Sequence, residues 1–365
     1  MSFMESTDRF CVILAGGGNQ LWPISRKTLP KQFVTLPGVG KSMINITYDR
    51  VRGIVPEENI LIVAPAKYST LVREAFPSLP EKNLLFEPYA RNTGPAVAYA
   101  MYSILRRNPD AVMTVTPSDL YIRDLDNYKA TMDKVFGYVS RHDVLMTLGV
   151  KPDRPYPYYG YIQVWGGSGV VSQEGPFKVK TFTEKPPEKL AAVFFKSGEF
   201  FWNSGIMVSK ASVLKEEMEK NMPLVTGLFD GWQGALGTSA ETAFIERAYG
   251  GCEKVSIDNG ILEKTDKAWL YPVDFGWYDV DNWDSVYRLY PWKDLDGNLA
   301  NPENTVLSDT SGSIVISKDK NKLLVVKGLE NFVVIDTPDA LLVCPRDKVS
   351  EFVSPAFLHS HELSR

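Results

Sequence analysis

The segment AGGGNQLWPISRKTLPKQF, residues 15–33, gathers residue types suited to phosphate chemistry. Gly16, Gly17 and Gly18 follow a short apolar run. With no Cβ in the way, their backbone N–H groups can approach phosphate oxygens closely. Lys31, just after Pro30, and Arg26 upstream supply cations that can face a triphosphate. The tip of the loop, Gly18-Asn19-Gln20, carries no charge. The run matches neither the Walker pattern nor the dinucleotide GxGxxG, and taken alone it also suits a plain tight turn.

Further along, EPYARNTGPA places Glu87, Arg91, Asn92 and Thr93 ahead of an amphipathic run. Asn and Thr there suit a helix cap as well as a nucleobase contact. TPSDLY puts Asp119 just past an apolar strand. An aspartate there serves either as a turn or cap residue or as a ligand of Mg²⁺, which takes one or two carboxylates plus substrate phosphates. GWYDVDNW offers Asp279 and Asp281 as the second acid, and only the fold can join them. In FTEKP, Glu184 can accept sugar hydroxyls and Lys185 can meet a phosphate; a surface ion pair is the plain alternative. Asn203 in FWNSGI suits a sugar-hydroxyl bond or a turn.

The elements that must position these residues alternate in the first half of the chain. FCVILA, NILIVA, NLLFEP, AVMTVT and DVLMTLGV have strand character, and between them lie helical runs such as GPAVAYAMYSILRRN and LDNYKATMDKVFGYVSR. Such alternation predicts a doubly wound α/β sheet, mixed but mainly parallel, with ligands beyond the carboxyl ends of its strands. GGGNQLWP, EPYARNTGP and TPSDLY all fall at that edge. From Lys151 the aromatic, turn-rich stretches, FFWNSGIMVSK among them, suggest an insertion or lid of mixed strands around the same edge. KDLDGNLANPENT marks a linker, so the expected domains are 1–293 and 294–365, the second a small β-rich unit with a short helical tail, RDKVSEFV.

The 365 residues suffice for one large or two ordinary domains. A net charge of −4 and the lack of any Lys/Arg run argue against nucleic-acid or membrane partners. Cys11, Cys252 and Cys344 form no CxxC pair, so a zinc ribbon or disulfide framework is not expected. Histidine occurs only at 142, 359 and 361, and the HSH near the C-terminus is expected to be a tail rather than a metal site. No segment approaches the roughly 20 apolar residues of a membrane helix. MSFMESTDRFCVILAGG lacks the pattern of a signal peptide, so a cytoplasmic location is expected.

Taken in order, LWPISRKTLPKQF, EPYARNTGPA, TPSD, YYGYIQ, FTEKP, FWNSGI, SIDNGILEK and FGWYDVDNW resemble the motifs of the mannose-1-phosphate guanylyltransferases, a family of sugar nucleotidyltransferases. The likeness covers nearly the whole chain, and NFVVIDTPDALLVC resembles that family's small β domain. It implies a Rossmann-like nucleotidyltransferase domain over 1–293 and a β-helix-like domain over 294–365. It also implies transfer of GMP from GTP to mannose 1-phosphate, Mg²⁺ as cofactor and a homodimer. By the same resemblance Lys31 neutralises the triphosphate and Lys185 the sugar phosphate. Ala15, Gly16, Gly17, Gly18, Gln20, Arg91, Asn92, Thr93 and Ser118 border the nucleotide. Gly160, Glu184 and Asn203 bind the sugar, and Asp119 and Asp279 hold Mg²⁺.

Four departures stand out. AGGGNQLWP is one residue shorter than the family's AGGxGxRLWP and carries Gln20 where arginine is usual. Leu120 replaces a histidine, Asp281 a glycine, and Asn259-Gly260 a tyrosine-alanine pair. Removing one donor to charge that builds up in a transition state typically costs on the order of 10²–10³ in rate. Arg26 is the expected substitute for the missing arginine. A weakly active or inactive nucleotide-binding paralogue, and a guanylyltransferase for another sugar 1-phosphate, are the alternatives.

Overall fold

A computed structural model describes residues 6–36, 39–170 and 174–352. His359 and His361 lie outside the described residues. The first eleven strands are β1 (Arg9–Leu14), β2 (Ile60–Pro65), β3 (Leu84–Glu87), β4 (Val112–Pro117), β5 (Leu120–Ile122), β6 (Leu145–Val150), β7 (Tyr161–Val164), β8 (Phe177–Thr183), β9 (Phe200–Lys210), β10 (Ala268–Val273) and β11 (Trp277–Asp279). Among them run helices α1 (Met43–Val51), α2 (Ser69–Ala75), α3 (Thr93–Arg107), α4 (Leu125–Val139), α5 (Glu188–Ser197) and α6 (Ala211–Asn221). By contacts the chain divides into two units. One comprises residues up to Gly16, Tyr48–Ser118 and Ile122–Trp277; the other comprises Gly17–Thr47, Asp119–Tyr121 and Tyr278 onward.

The first unit is built on a nine-stranded sheet of order β3-β2-β1-β4-β9-β6-β10-β8-β7. Strands β3, β2, β1 and β4 are parallel, as are β6 and β10. Continuous apolar runs such as ILIVA are what a strand covered on both faces requires. Phe10, Val12, Leu61, Val63, Met113 and Val115 meet the apolar side of α3 and α6. The intervening Cys11 lies on the opposite face with Arg50 and Tyr128, so the sheet is covered on both sides. The doubly wound α/β class expected from the sequence is therefore present.

The stretches expected to form an insertion or lid of mixed strands do form strands, and these belong to the main sheet. Strand β9, which carries FFWNSGIMVSK, lies inside the sheet, antiparallel to both β4 and β6. Its apolar residues are buried because helices cover both faces at that point. Its alternation is broken at Asn203-Ser204-Gly205, where the register with β6 shifts and Gly205 takes φ 77°. A bulge of this kind breaks a strand's alternation while re-aiming a side chain.

In the second unit, β12 (Leu299–Ala300), β14 (Ile314–Ser317) and β16 (Phe332–Asp336) pair in parallel, with β17 (Leu341–Pro345) antiparallel at the edge. β13 (Thr305–Ser308) and β15 (Leu324–Lys327) form a second parallel pair. Parallel strands joined by short turns leave backbone groups at the corners, and buried asparagines satisfy them. Asn304 Nδ2 donates to the carbonyls of Asp319 and Lys322, both at 3.1 Å. The core of this unit joins Leu21, Ile24, Val34 and Leu36 of the glycine loop to Trp283, Ile314, Ile316, Val333 and Ile335.

Candidate active site

Lys31 is the best-placed cation of the glycine loop. Its backbone N–H donates to Gly18 O at 2.7 Å, which closes the loop on itself. Its Nζ lies 2.7 Å from Asp119 Oδ2 and donates to Val280 O at 2.9 Å. Burial alone would lower the ammonium's pKa, but Asp119, Asp279 and Asp281 together outweigh it and hold Lys31 charged. The segment carrying the two further acids is itself anchored. Val280 N–H donates to Asp119 O at 3.3 Å, Asn282 and Ser285 form a capping box, and Trp283 Nε1 donates to Trp22 O at 2.8 Å. Thus three distant pieces of sequence place one lysine among three carboxylates.

Gly17 adopts φ 103°, a conformation that favours glycine. A Cβ on Gly18 would press on Gln20 Oε1, the movable end of that side chain. That Oε1 is a buried acceptor with no donor among the described residues. Arg26 makes a separate set of contacts. Its Nη2 makes a two-toothed pair with Asp339 at 3.0 and 3.2 Å, its Nη1 donates to the carbonyls of Pro23 and Ser25, and its guanidinium covers Trp22. These contacts tie the loop to the turn before β17.

Within the first unit, Ala15 N–H donates to Val63 O and Ser118 N–H to Leu14 O, at 2.8 and 3.1 Å. Ala15, Gly16 and Ser118 therefore stand where β1 and β4 end. Beyond its chain neighbours, a Cβ at Gly16 would meet none of the described residues within 4 Å, so their packing does not require glycine there.

Asn92 and Thr93 both serve the backbone. Asn92, at φ 68°, accepts the Thr93 N–H at 2.9 Å as the cap of α3, and Thr93 Oγ1 accepts the Ile257 N–H at 2.9 Å. Arg91 Nε donates to Tyr249 O at 3.2 Å. Behind them Glu87 is buried, receives the Tyr249 hydroxyl at 3.1 Å, and is pushed up to about 7 by burial, against the lowering effect of that hydrogen bond.

A third group in the same unit collects Gly160, Glu184, Lys185 and Asn203. A Cβ on Gly160 would fall 2.7 Å from Glu184 Oε2 and 3.3 Å from Asn203 Cβ, so the two side chains approach each other over this glycine. Lys185 Nζ is exposed, 3.5 Å from Glu184 Oε1, on a backbone at φ 44°. A non-glycine residue in that region is strained, and such strain clusters at ligand-binding sites. Burial raises the Glu184 carboxyl, with Lys185 opposing and Glu263 adding to the rise.

Sequence reasoning missed two members. Thr147 donates to Asn203 Oδ1 at 2.9 Å, and Asp258 accepts from Asn203 Nδ2 at 3.1 Å. Asp258 stands within the quoted SIDNG, but only the fold shows that it faces Asn203. The glycine at 260 has a packing cause, because a Cβ there would fall 2.5 Å from Met222 Sδ.

Residues 10–291 match the family described as Nucleotidyl transferase, and residues 303–352 match the MannoseP isomerase/GMP-like beta-helix domain. The chain belongs to the nucleotidyl transferase family. It is 35% identical to the Xanthan biosynthesis protein XanB of Xanthomonas campestris pv. campestris (strain B100), over 94% of this chain and 72% of that protein. It is 31% identical to the Mannose-1-phosphate guanylyltransferase of Escherichia coli (strain K12), over 99% of this chain and 77% of that protein. A solved structure from Thermus thermophilus, described as a mannose-1-phosphate geranyltransferase, superposes with a TM-score of 0.85 at 26% identity. That match covers 98% of this chain and 100% of the other. No helix among the described residues is long and apolar enough to cross a membrane.

Proposed function

We propose that this nucleotidyl transferase moves GMP from GTP to mannose 1-phosphate, releasing pyrophosphate and forming GDP-mannose. The carrying observation is Lys31, buried and charged, 2.7 Å from Asp119 and within the field of Asp279. The sugar preference is supported by the name of the Escherichia coli relative. A phosphate oxygen of the sugar phosphate attacks the α-phosphorus of GTP; the new P–O bond forms as the bond to the β-phosphate oxygen breaks, and pyrophosphate carries away the electron pair. The nucleophile has a second pKa near 6, so at neutral pH it needs no side-chain base. That fits a chain with three histidines. Catalysis then rests on positioning and charge stabilisation.

Lys31 is assigned to the triphosphate, Lys185 to the sugar phosphate, and Gly160, Glu184 and Asn203 to the sugar hydroxyls. The glycines 16–18, Gln20, Ala15 and Ser118 are assigned to the phosphates, and the Arg91–Thr93 loop to guanine. Asp119 and Asp279 suit Mg²⁺, being two hard oxygen donors that leave room for phosphate ligands. When bound, the ion would neutralise phosphate charge. The same assignment expects a cytoplasmic enzyme and a homodimer; exposed Leu341 and Val343 on the edge strand β17 offer a surface for the latter.

The deciding assay is pyrophosphate release across a panel of sugar 1-phosphates and nucleoside triphosphates, with and without Mg²⁺. GTP with mannose 1-phosphate should be the best pair, and activity should vanish on chelation. Faster release with a different pair would reassign the substrate, and no release from well-folded protein would remove the activity.

A further inference from the structure

Asn203 sits at the bulge in β9, and its carboxamide is oriented by three neighbours. Oδ1 accepts from Thr147 Oγ1 at 2.9 Å and from Gly205 N–H at 3.2 Å. Nδ2 donates one hydrogen to Asp258 Oδ1 at 3.1 Å. An amide oxygen with two donors is saturated, whereas the NH₂ still has a second hydrogen to give. Exchanging the amide's oxygen and nitrogen would set the oxygen against the Asp258 carboxylate and the NH₂ against the Gly205 N–H. The hydrogen-bond pattern therefore selects one orientation.

We propose that Asp258 is a positioning residue of the sugar-binding group: it locks the Asn203 amide so that Nδ2 donates to a substrate hydroxyl. Glu184, across Gly160, then accepts from a hydroxyl, and the pair reads two hydroxyls in opposite senses. This rests on Glu184 and Asn203 being the sugar-binding residues.

The groups facing Asp258 are Glu184 and Lys185 from the segment after β8 and Asn203 from β9; Glu263, on the next turn, accepts the Glu184 backbone N–H at 3.3 Å. Burial, then the Glu184 charge, push the Asp258 carboxyl up to about 6, with Lys185 and the Asn203 hydrogen bond opposing. Above that pH the ionised carboxylate is a strong acceptor for Nδ2. Below it the protonated acid can turn and donate, and the lock loosens.

Two measurements test this. In protein labelled with ¹⁵N-asparagine, the Asn203 side-chain amide pair, assigned by its loss in Asn203→Asp, should titrate with a midpoint near that of Asp258. It should stop doing so in Asp258→Asn. A pair that is flat with pH in the wild type overturns the proposal, whatever the substrate proves to be. Kinetically, Asp258→Ala should raise the KM for the sugar 1-phosphate about tenfold at about pH 8, where the substrate phosphate is fully ionised, with the KM for GTP unchanged. Asp258→Asn keeps an acceptor oxygen and should restore the sugar KM. An unchanged sugar KM in Asp258→Ala, or both KM values rising together with a lower melting temperature, would also overturn it. If the wild type turns over no sugar 1-phosphate at all, the proposed activity fails, and the amide titration alone decides the role of Asp258.

Discussion

At the scale of single residues, the glycine loop divides into a charged half and a neutral half. Lys31 is buried, charged and held between Asp119 and Val280 O. Lys31→Met should lower kcat/KM by roughly 10²–10³, the usual loss for one donor to a developing charge, while the protein stays folded; an undiminished rate would remove Lys31 from the mechanism. Gly16 makes a sharper case, because the protein itself leaves room for a methyl group there. Gly16→Ala should therefore keep its melting temperature and lose turnover if phosphates approach that backbone closely. Equal activity would show that they do not. Gln20 presents a buried oxygen where the family has arginine. Gln20→Arg should raise kcat, by about tenfold or more if the missing cation limits the rate. The residue types of this loop were legible in the sequence, but the commitment of Arg26 to Asp339 was not. Those two residues are 313 positions apart, and no periodicity links them.

At the scale of elements, β9 and the coil of β12–β17 decide what the loops can do. Strand β9 brings Asn203 into the sheet beside Thr147 of β6, and the bulge at Gly205 turns its amide toward Asp258. The sequence showed apolar and aromatic residues there. It could not show that both faces were covered, because the bulge breaks the period of two that identifies a strand. In the second unit, Leu21, Ile24, Val34 and Leu36 share a core with Ile314, Ile316, Val333 and Ile335. Ile335 is fully buried, so Ile335→Ala should cost about 2–5 kcal/mol. The Lys31 loop packs on that core, so the same substitution should also depress turnover. A destabilised variant with normal kcat at low temperature would show that the loop keeps its shape independently of the coil. Asp339→Asn, which weakens the Arg26 anchor, should raise the KM for GTP several-fold without abolishing activity.

At the scale of the whole molecule, buried carboxyls bias stability toward mildly acidic pH. Glu87 is raised from 4.5 to about 7 and Asp258 from 3.8 to about 6. In each case the folded state holds a proton that the unfolded state has lost. Their contribution is complete below the unfolded pKa values and disappears as pH climbs through the folded ones. Stability should therefore fall between about pH 4.5 and 7, and Glu87→Gln should flatten that decline, by roughly 3 kcal/mol at neutral pH. Denaturant midpoints across this range would check it; an identical slope in the variant would place the Glu87 carboxyl in a better-solvated setting. The sequence by itself determined the doubly wound α/β class, the order of the motifs and the residue types of the glycine loop, because these follow from local period, turn residues and residue type. Only the tertiary structure decided which acids meet Lys31, that Arg26 pairs with Asp339, and that Asn203 donates to Asp258. Each of those outcomes depends on side chains made neighbours by strand order and loop packing, for which hydrophobic period and local spacing carry no signal.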